Sequence, residues 1–156
     1  VVTRKRPVYD PWTRVDQLAD PGRMARMLED RAVHPDQVDM RRRFWEWLGV
    51  PSGTAALEVG CGTGVWAREL AWMVGESGRV FGVDPSRFFI EEARRLARER
   101  GAPPNLAVGV ASGAALPFRE GTWDLVLVAT VFTHVRDHVG LMRELARVVR
   151  RGGRLA

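Results

Sequence analysis

The chain has 156 residues, 46% of them hydrophobic, which is about one domain's length and enough to bury a core. It contains no run of about 18 apolar residues, and no apolar stretch follows the basic start "VVTRKRPVYDPW", so neither a membrane span nor a secretory leader is read and a cytoplasmic location is expected. The 24 basic residues, all arginine except Lys5, give a net charge of +5 but are scattered apart from "TRKRP" and "MRRRF", which reads as charged surface rather than a nucleic-acid face; the lone Cys61 excludes an internal disulfide and a cysteine-cluster metal site, and no metal is expected. In chain order, "DPGRMARMLED" predicts a helix with Asp20 as N-cap, Pro21 at its first position, and Met24, Met27 and Leu28 on one face. A second helix is predicted from Pro35, with Met40, Phe44, Trp47 and Leu48 as its core stripe and "GVPSG" as the stop, so residues 1–52 read as a helical lead-in.

From residue 53 to 156 short apolar runs alternate with amphipathic segments, the pattern of parallel βαβ units. "TAALEVG" is the first predicted strand and "GVWARELAWMVG" the helix after it, followed by the strand "GRVFGVD". The next helix, "RFFIEEARRLARERG", sets Phe89, Ala93 and Leu96 on one side and ends at Gly101. "NLAVGVAS" and the almost continuously apolar "TWDLVLVAT" are the third and fourth strands, the latter expected at the centre of a sheet covered on both faces. "DHVGLMRELARVVRRGG" predicts a last helix with Leu141, Leu145, Val148 and Val149 inward and arginines in its final turn, before "RLA" opens a fifth strand. The expected fold is α/β, a Rossmann-like doubly wound parallel sheet of about five strands behind the helical lead-in.

The stretch "LEVGCGTG" sits where the first strand turns into its helix, the place where open parallel sheets bind ligands. Gly60, Gly62 and Gly64 allow a ligand to approach the main chain, and the helix N-terminus offers free N–H groups. Asp84 ends the second strand twenty residues after Gly64, where a carboxylate can accept from both hydroxyls of a ribose. Gly62, Gly64 and Ala67 also fit the dinucleotide form G-x-G-x-x-A, so an NAD(P)-binding oxidoreductase is one reading. Glu58 separates the two: an acidic side chain suits a ligand bearing an ammonium and a sulfonium, as S-adenosylmethionine does, better than a pyrophosphate.

Four motifs in register, "LEVGCGTG", "VDPS", "ALPF" with "WDLVLV", and "ELARVVRRGGRL", resemble the class I S-adenosylmethionine-dependent methyltransferases, in particular the methyltransferase type 11 group with the ubiquinone and menaquinone biosynthesis C-methyltransferases. The resemblance implies that Gly60, Cys61, Gly62, Thr63 and Gly64 line the methionine part of S-adenosylmethionine, that Asp84 binds its ribose and that Pro85 and Ser86 border the adenine. It also implies that main chain near Thr130 lies by the sulfonium. Ser112 and Gly113 stand where the family commonly has an Asp that accepts from the adenine amino group. Related enzymes use an N-terminal aromatic segment as a lid, which makes Tyr9 and Trp12 candidates for one; packing of the leader on the domain is the other reading.

The acceptor is expected to be a small molecule. No Asn/Asp-Pro-Pro-aromatic motif follows the fourth strand, and the only cysteine lies in the glycine loop rather than at a nucleophile's position. His134 in "TVFTHVRDH" is a candidate general base, with a structural histidine as the alternative. The chain stops at Ala156 inside the predicted fifth strand, where the family continues through two further strands. It is read as a fragment, or as a minimal protein whose open sheet edge is covered by a partner or a second copy. A non-catalytic S-adenosylmethionine-binding subunit remains the third reading.

Overall fold

The computed structural model describes residues 10–156. Five parallel strands, β1 (Ala55–Val59), β2 (Arg79–Asp84), β3 (Leu106–Val110), β4 (Trp123–Leu127) and β5 (Val149–Leu155), form one sheet in the order β3-β2-β1-β4-β5. Five helices accompany them: α1 (Pro21–Val33), α2 (Pro35–Leu48), α3 (Val65–Val74), α4 (Arg87–Glu99) and α5 (His138–Val148). The sequence-predicted α/β class and doubly wound sheet are what the chain forms. β4 is interior, while β1 holds the central place.

Alternation along β1 decides the layers. Ala56 shares a core with Leu125, Leu127 and the α2 and α3 residues Trp45, Leu48, Leu70 and Val74, whereas Leu57 and Val59 face Val126 and the α5 residues Leu141, Leu145 and Val148. The chain runs outward from β1 in one direction to β2 and β3 and in the other to β4 and β5. The switch point therefore lies between the carboxyl ends of β1 and β4.

Local chemistry sets the helix ends as predicted: the Asp20 carboxylate accepts from the Arg23 N–H at 3.1 Å, Pro21 opens α1, and Gly49 closes α2 at φ 55°. On α4, Phe89, Ala93 and Leu96 are buried as expected.

Two expectations are corrected. The stripe Met40, Phe44, Trp47 and Leu48 is only half of the buried face of α2: Leu48 is buried and Phe44 packs against the core as expected, but Met40 and Trp47 are exposed, Trp47 by 77%, and Arg41 and Trp45 are buried in their place. The face extends off the predicted stripe because Glu69 accepts from both Arg41 Nε and the Trp45 indole N–H at 2.8 Å, while Arg41 also donates to the Ala32 carbonyl at 2.7 Å. Satisfied polar tips let long stems be buried, which a count of apolar residues does not register. On α1, likewise, Met24 is buried but Met27 is 46% exposed.

The second correction is at the end of α5. Val148 is its last residue, and Val149 with "RRGG" belongs to β5 rather than to the final helical turn. Val149 pairs with Trp123 and Arg154 with Leu125, so several extra residues bulge between the two pairs, with Gly152 at φ 75°. Asp124 draws Arg150 into an ion pair and also accepts from the Ala55 N–H at 2.7 Å, which holds the start of β1 against β4.

Candidate functional site

After Val59 the chain turns back on itself. The N–H groups of Gly60 and Cys61 both donate to the Val83 carbonyl, at 2.7 and 2.9 Å, and pull the turn over the end of β2. Gly60, Gly62 and Gly64 all have positive φ, at 76°, 51° and 79°. A Cβ on Gly60 would lie 2.2 Å from Val131 Cγ2, and one on Gly62 would lie 3.0 Å from Leu28 Cδ1. The loop is thus bare for a reason visible on both sides: the segment after β4 and helix α1 press against it.

Asp84 is tied directly to this loop. Its Oδ2 accepts from the Gly62 N–H at 3.0 Å and its Oδ1 from the Ser86 N–H at 2.9 Å, one bond to each oxygen, so further lone pairs remain for a ligand. Burial pushes its carboxyl above the usual range against the pull of those two N–H groups, and the neighbouring Asp16 adds to the rise. The Ala111 N–H donates to the Asp84 carbonyl at 3.1 Å, which brings Ser112 to the same edge. Ser112 is exposed and its hydroxyl accepts from the Ala114 N–H, while Gly113 lies against Val59 and Leu141. Pro85 is exposed, but the Ser86 hydroxyl is committed, accepting from the Phe89 N–H at 3.1 Å and donating to Asp16 at 2.5 Å.

Beneath the loop, Glu58 faces the α3 side and is fully enclosed, with Oε2 buried and unpartnered; the Thr63 hydroxyl is in the same condition. Burial drives the Glu58 carboxyl well above the carboxylate range, with Asp84 and Glu69 adding to the rise and the Ala67 N–H and Arg68 opposing it. A carboxyl raised in the folded state holds its proton there after the unfolded chain has lost its own, so its stabilising contribution is complete below the unfolded value and is lost as pH rises toward the folded one. Glu58→Gln is therefore expected to raise the melting temperature near neutral pH and to flatten its decline as pH rises above the ordinary carboxylate range, measured by thermal unfolding at several pH values. The Cys61 thiol is raised as well, by burial first and then by Glu58 and Asp84, and is an unreactive packing group against Gly82.

A short 3-10 segment, Pro11–Gln17, crosses the carboxyl edge of the sheet, and sequence reasoning missed how it is anchored. At one end Asp16 accepts from the Ser86 hydroxyl and from the Arg87 and Phe88 N–H groups, at 2.9 and 3.2 Å, and so caps the start of α4. Burial alone would raise its carboxyl, but these bonds win and lower it. Removing them with Asp16→Ala is expected to cost about 1 kcal/mol in urea unfolding. At the other end Asp10 lies 2.7 Å from His134 Nδ1. Between them Trp12 stacks at 6.3 Å on Phe89 and at 6.1 Å from the His134 ring. Tyr9 lies outside the described residues.

Thr130, at φ 64°, is the one non-glycine residue with positive φ among the described residues, and its carbonyl accepts from the Thr133 hydroxyl at 2.7 Å. That bend sends Val131 down onto Gly60 and turns the chain into the 3-10 turn Val131–His134. Glu58, the glycine loop, Asp84 to Ser86, Ser112, Thr130, His134 and Trp12 thus gather around one carboxyl edge. Asp10, Asp16, Leu28 and Val131 join them without having been foreseen; the Asp10-Pro11 pair, which repeats the Asp20-Pro21 cap, was the available signal for the first.

A doubly wound sheet with a glycine loop at its switch point and a buried carboxylate ending the second strand defines a nucleotide-cofactor-binding α/β domain. Residues 56–153 match the family model described as methyltransferase domain, and the chain belongs to that family. It is 33% identical over 118 residues to the demethylmenaquinone methyltransferase of Anoxybacillus flavithermus, covering 76% of this chain and 49% of that one. It is 35% identical over 118 residues to methyltransferase GfsG of Streptomyces halstedii, covering 75% and 41%. Among solved structures, a SAM-dependent methyltransferase from Aquifex aeolicus superposes with a TM-score of 0.65 at 25% identity over 91% of this chain and 68% of that one. The chain spans about half the length of the curated relatives it matches. No helix of the described residues is long and apolar enough to cross a membrane.

Proposed function

We propose that this chain binds S-adenosylmethionine at the β1/β4 switch point and transfers its methyl group to a small-molecule acceptor. The observation that carries the reading is the bond from the Gly62 N–H to the Asp84 carboxylate, which joins the glycine loop and the sugar-binding position into one rigid cradle. The residues fit that ligand: Asp84 keeps lone pairs beyond those used by the Gly62 and Ser86 N–H groups, and the orphaned Glu58 Oε2 and Thr63 Oγ1 hold unspent hydrogen-bonding capacity at the base of the loop. Membership of the methyltransferase family favours this over the nicotinamide reading.

When bound, S-adenosylmethionine supplies a methyl carbon already activated by its sulfonium. The protein's own part is alignment and exclusion of water. Gly60 to Gly64, with Cys61 and Thr63, hold the methionine portion, and Asp84 accepts from the ribose hydroxyls. The exposed Pro85 ring and the Ser86 main chain would border the adenine, and Ser112 with Gly113 would stand by its amino group, where the family commonly has an Asp. Main chain at Thr130 flanks the sulfonium end, and Trp12 on the 3-10 segment roofs the crevice. Residues 53–156 act as the cofactor-binding unit, and within the helical lead-in 1–52 the Pro11–Gln17 segment serves as the lid. Titration calorimetry with S-adenosylmethionine and with NADH tests the reading: saturable binding of the first alone supports it, and binding of NADH alone overturns it.

A further inference from the structure

We infer that Asp10 is a positioning residue for His134, holding the imidazole with Nδ1 protonated and Nε2 as the bare base, so that the site takes an acceptor that must give up a proton. The inference rests on the methyl-transfer reading and adds to it the chemical class of acceptor. Asp10 Oδ2 lies 2.7 Å from His134 Nδ1, and its other oxygen accepts from the Trp12 N–H at 3.0 Å, so the carboxylate is fixed in orientation as well as in place. The imidazole is constrained from its own side by the Thr130 bend and the Thr133 hydroxyl, and Trp12 lies beside the ring. Nε2 has no hydrogen-bond partner among the described residues. A carboxylate on one imidazole nitrogen selects the tautomer and leaves the other nitrogen to accept.

Among the described residues, the groups around the ring are few. The 3-10 segment contributes Asp10, α4 contributes the apolar Phe89 beyond Trp12, and the ring's own loop carries Arg136, Asp137 and His138, the last with its ring 5.9 Å from Phe132. Among the described residues, Asp10 alone makes a hydrogen bond to the imidazole.

For an acceptor O–H, or an acidic C–H, the bond to hydrogen breaks and the proton passes to His134 Nε2. The freed electron pair forms the new bond to the methyl carbon while the carbon–sulfur bond breaks and its pair stays on sulfur as a neutral thioether. Asp10 balances the imidazolium until its proton is released to water. Tertiary amines need none of this. Because Asp10 stands on the same segment that Asp16 fastens to α4, docking of the segment and assembly of the base are one event.

Long-range proton–nitrogen correlation spectra of the full chain at pH 8, with His134 assigned through His134→Gln, test the geometry. His134 is expected in the Nδ1–H tautomer, and Asp10→Ala is expected to return it to the Nε2–H form that ordinary imidazole favours. An Nε2–H tautomer in the parent, or no change in Asp10→Ala, overturns the inference. Transfer from S-adenosylmethionine to catechol, 2-naphthol and acetylacetone, compared with N,N-dimethylaniline, tests the acceptor class. Methylation confined to the proton-bearing probes, reduced at least tenfold in Asp10→Asn and largely recovered as pH is raised toward the probe's own pKa, supports it. Methylation of N,N-dimethylaniline to an equal or greater extent, or parental rates in Asp10→Asn, overturns it. Calorimetry on the same samples keeps the two readings apart: absent S-adenosylmethionine binding in the parent overturns methyl transfer, whereas normal binding with the wrong tautomer overturns the dyad alone.

Discussion

Gly62→Val is expected to abolish S-adenosylmethionine binding, with affinity falling by more than about a hundredfold, or roughly 3 kcal/mol. The effect has two physical sources. At φ 51° a β-branched residue meets the steric penalty of the left-handed region, on the order of 1–2 kcal/mol. The new side chain also begins 3.0 Å from Leu28 Cδ1, so either α1 yields or the loop moves and the Gly62 N–H leaves Asp84. Calorimetry measures the affinity and circular dichroism the fold. A folded variant that binds as the parent does removes the loop from the site, and an unfolded one makes these glycines a matter of packing.

Asp84→Ala is expected to weaken the same ligand by on the order of 2 kcal/mol, because on the proposed reading charge-assisted hydrogen bonds to two hydroxyls are lost together. Destabilisation accompanies the lost affinity. The buried carboxylate satisfies the Gly62 and Ser86 N–H groups, and each left without a partner costs about 1–3 kcal/mol. Calorimetry and urea unfolding on one preparation separate the two effects, and affinity within a factor of two of the parent refutes the ribose assignment.

Local signals carried most of the architecture. Proline after aspartate at Asp20-Pro21, the Phe89, Ala93, Leu96 spacing and the apolar strand "LVLV" each express a preference settled within a few residues, and the structure follows them. Arg41 and Trp45 were missed in the buried face of α2 because their burial depends on Glu69, reached across 28 residues from Arg41. "VVRRGG" was misplaced because pairing with β4 outweighs the helical pattern it continues. At the candidate site the glycine loop and Asp84 were legible as a motif. The fastening of the crossing segment was not: Asp16 meets Ser86 at a separation of 70 residues and Asp10 meets His134 at 124, and no short-range pattern encodes either pair.

The backbone at Thr130 bears on how this protein would respond to selection or engineering for heat resistance. A β-branched residue at φ 64° sits in a region that costs of order 1–3 kcal/mol, a large share of the stability of a domain this size. The penalty is met because the bend lowers Val131 onto Gly60 and sets the turn that ends in His134. Thermostability is thus open to gain at the residue whose discomfort sets the turn over the glycine loop, so screens for hardier variants that relax Thr130 are expected to return sturdier proteins in which Val131 and His134 have lost their placement.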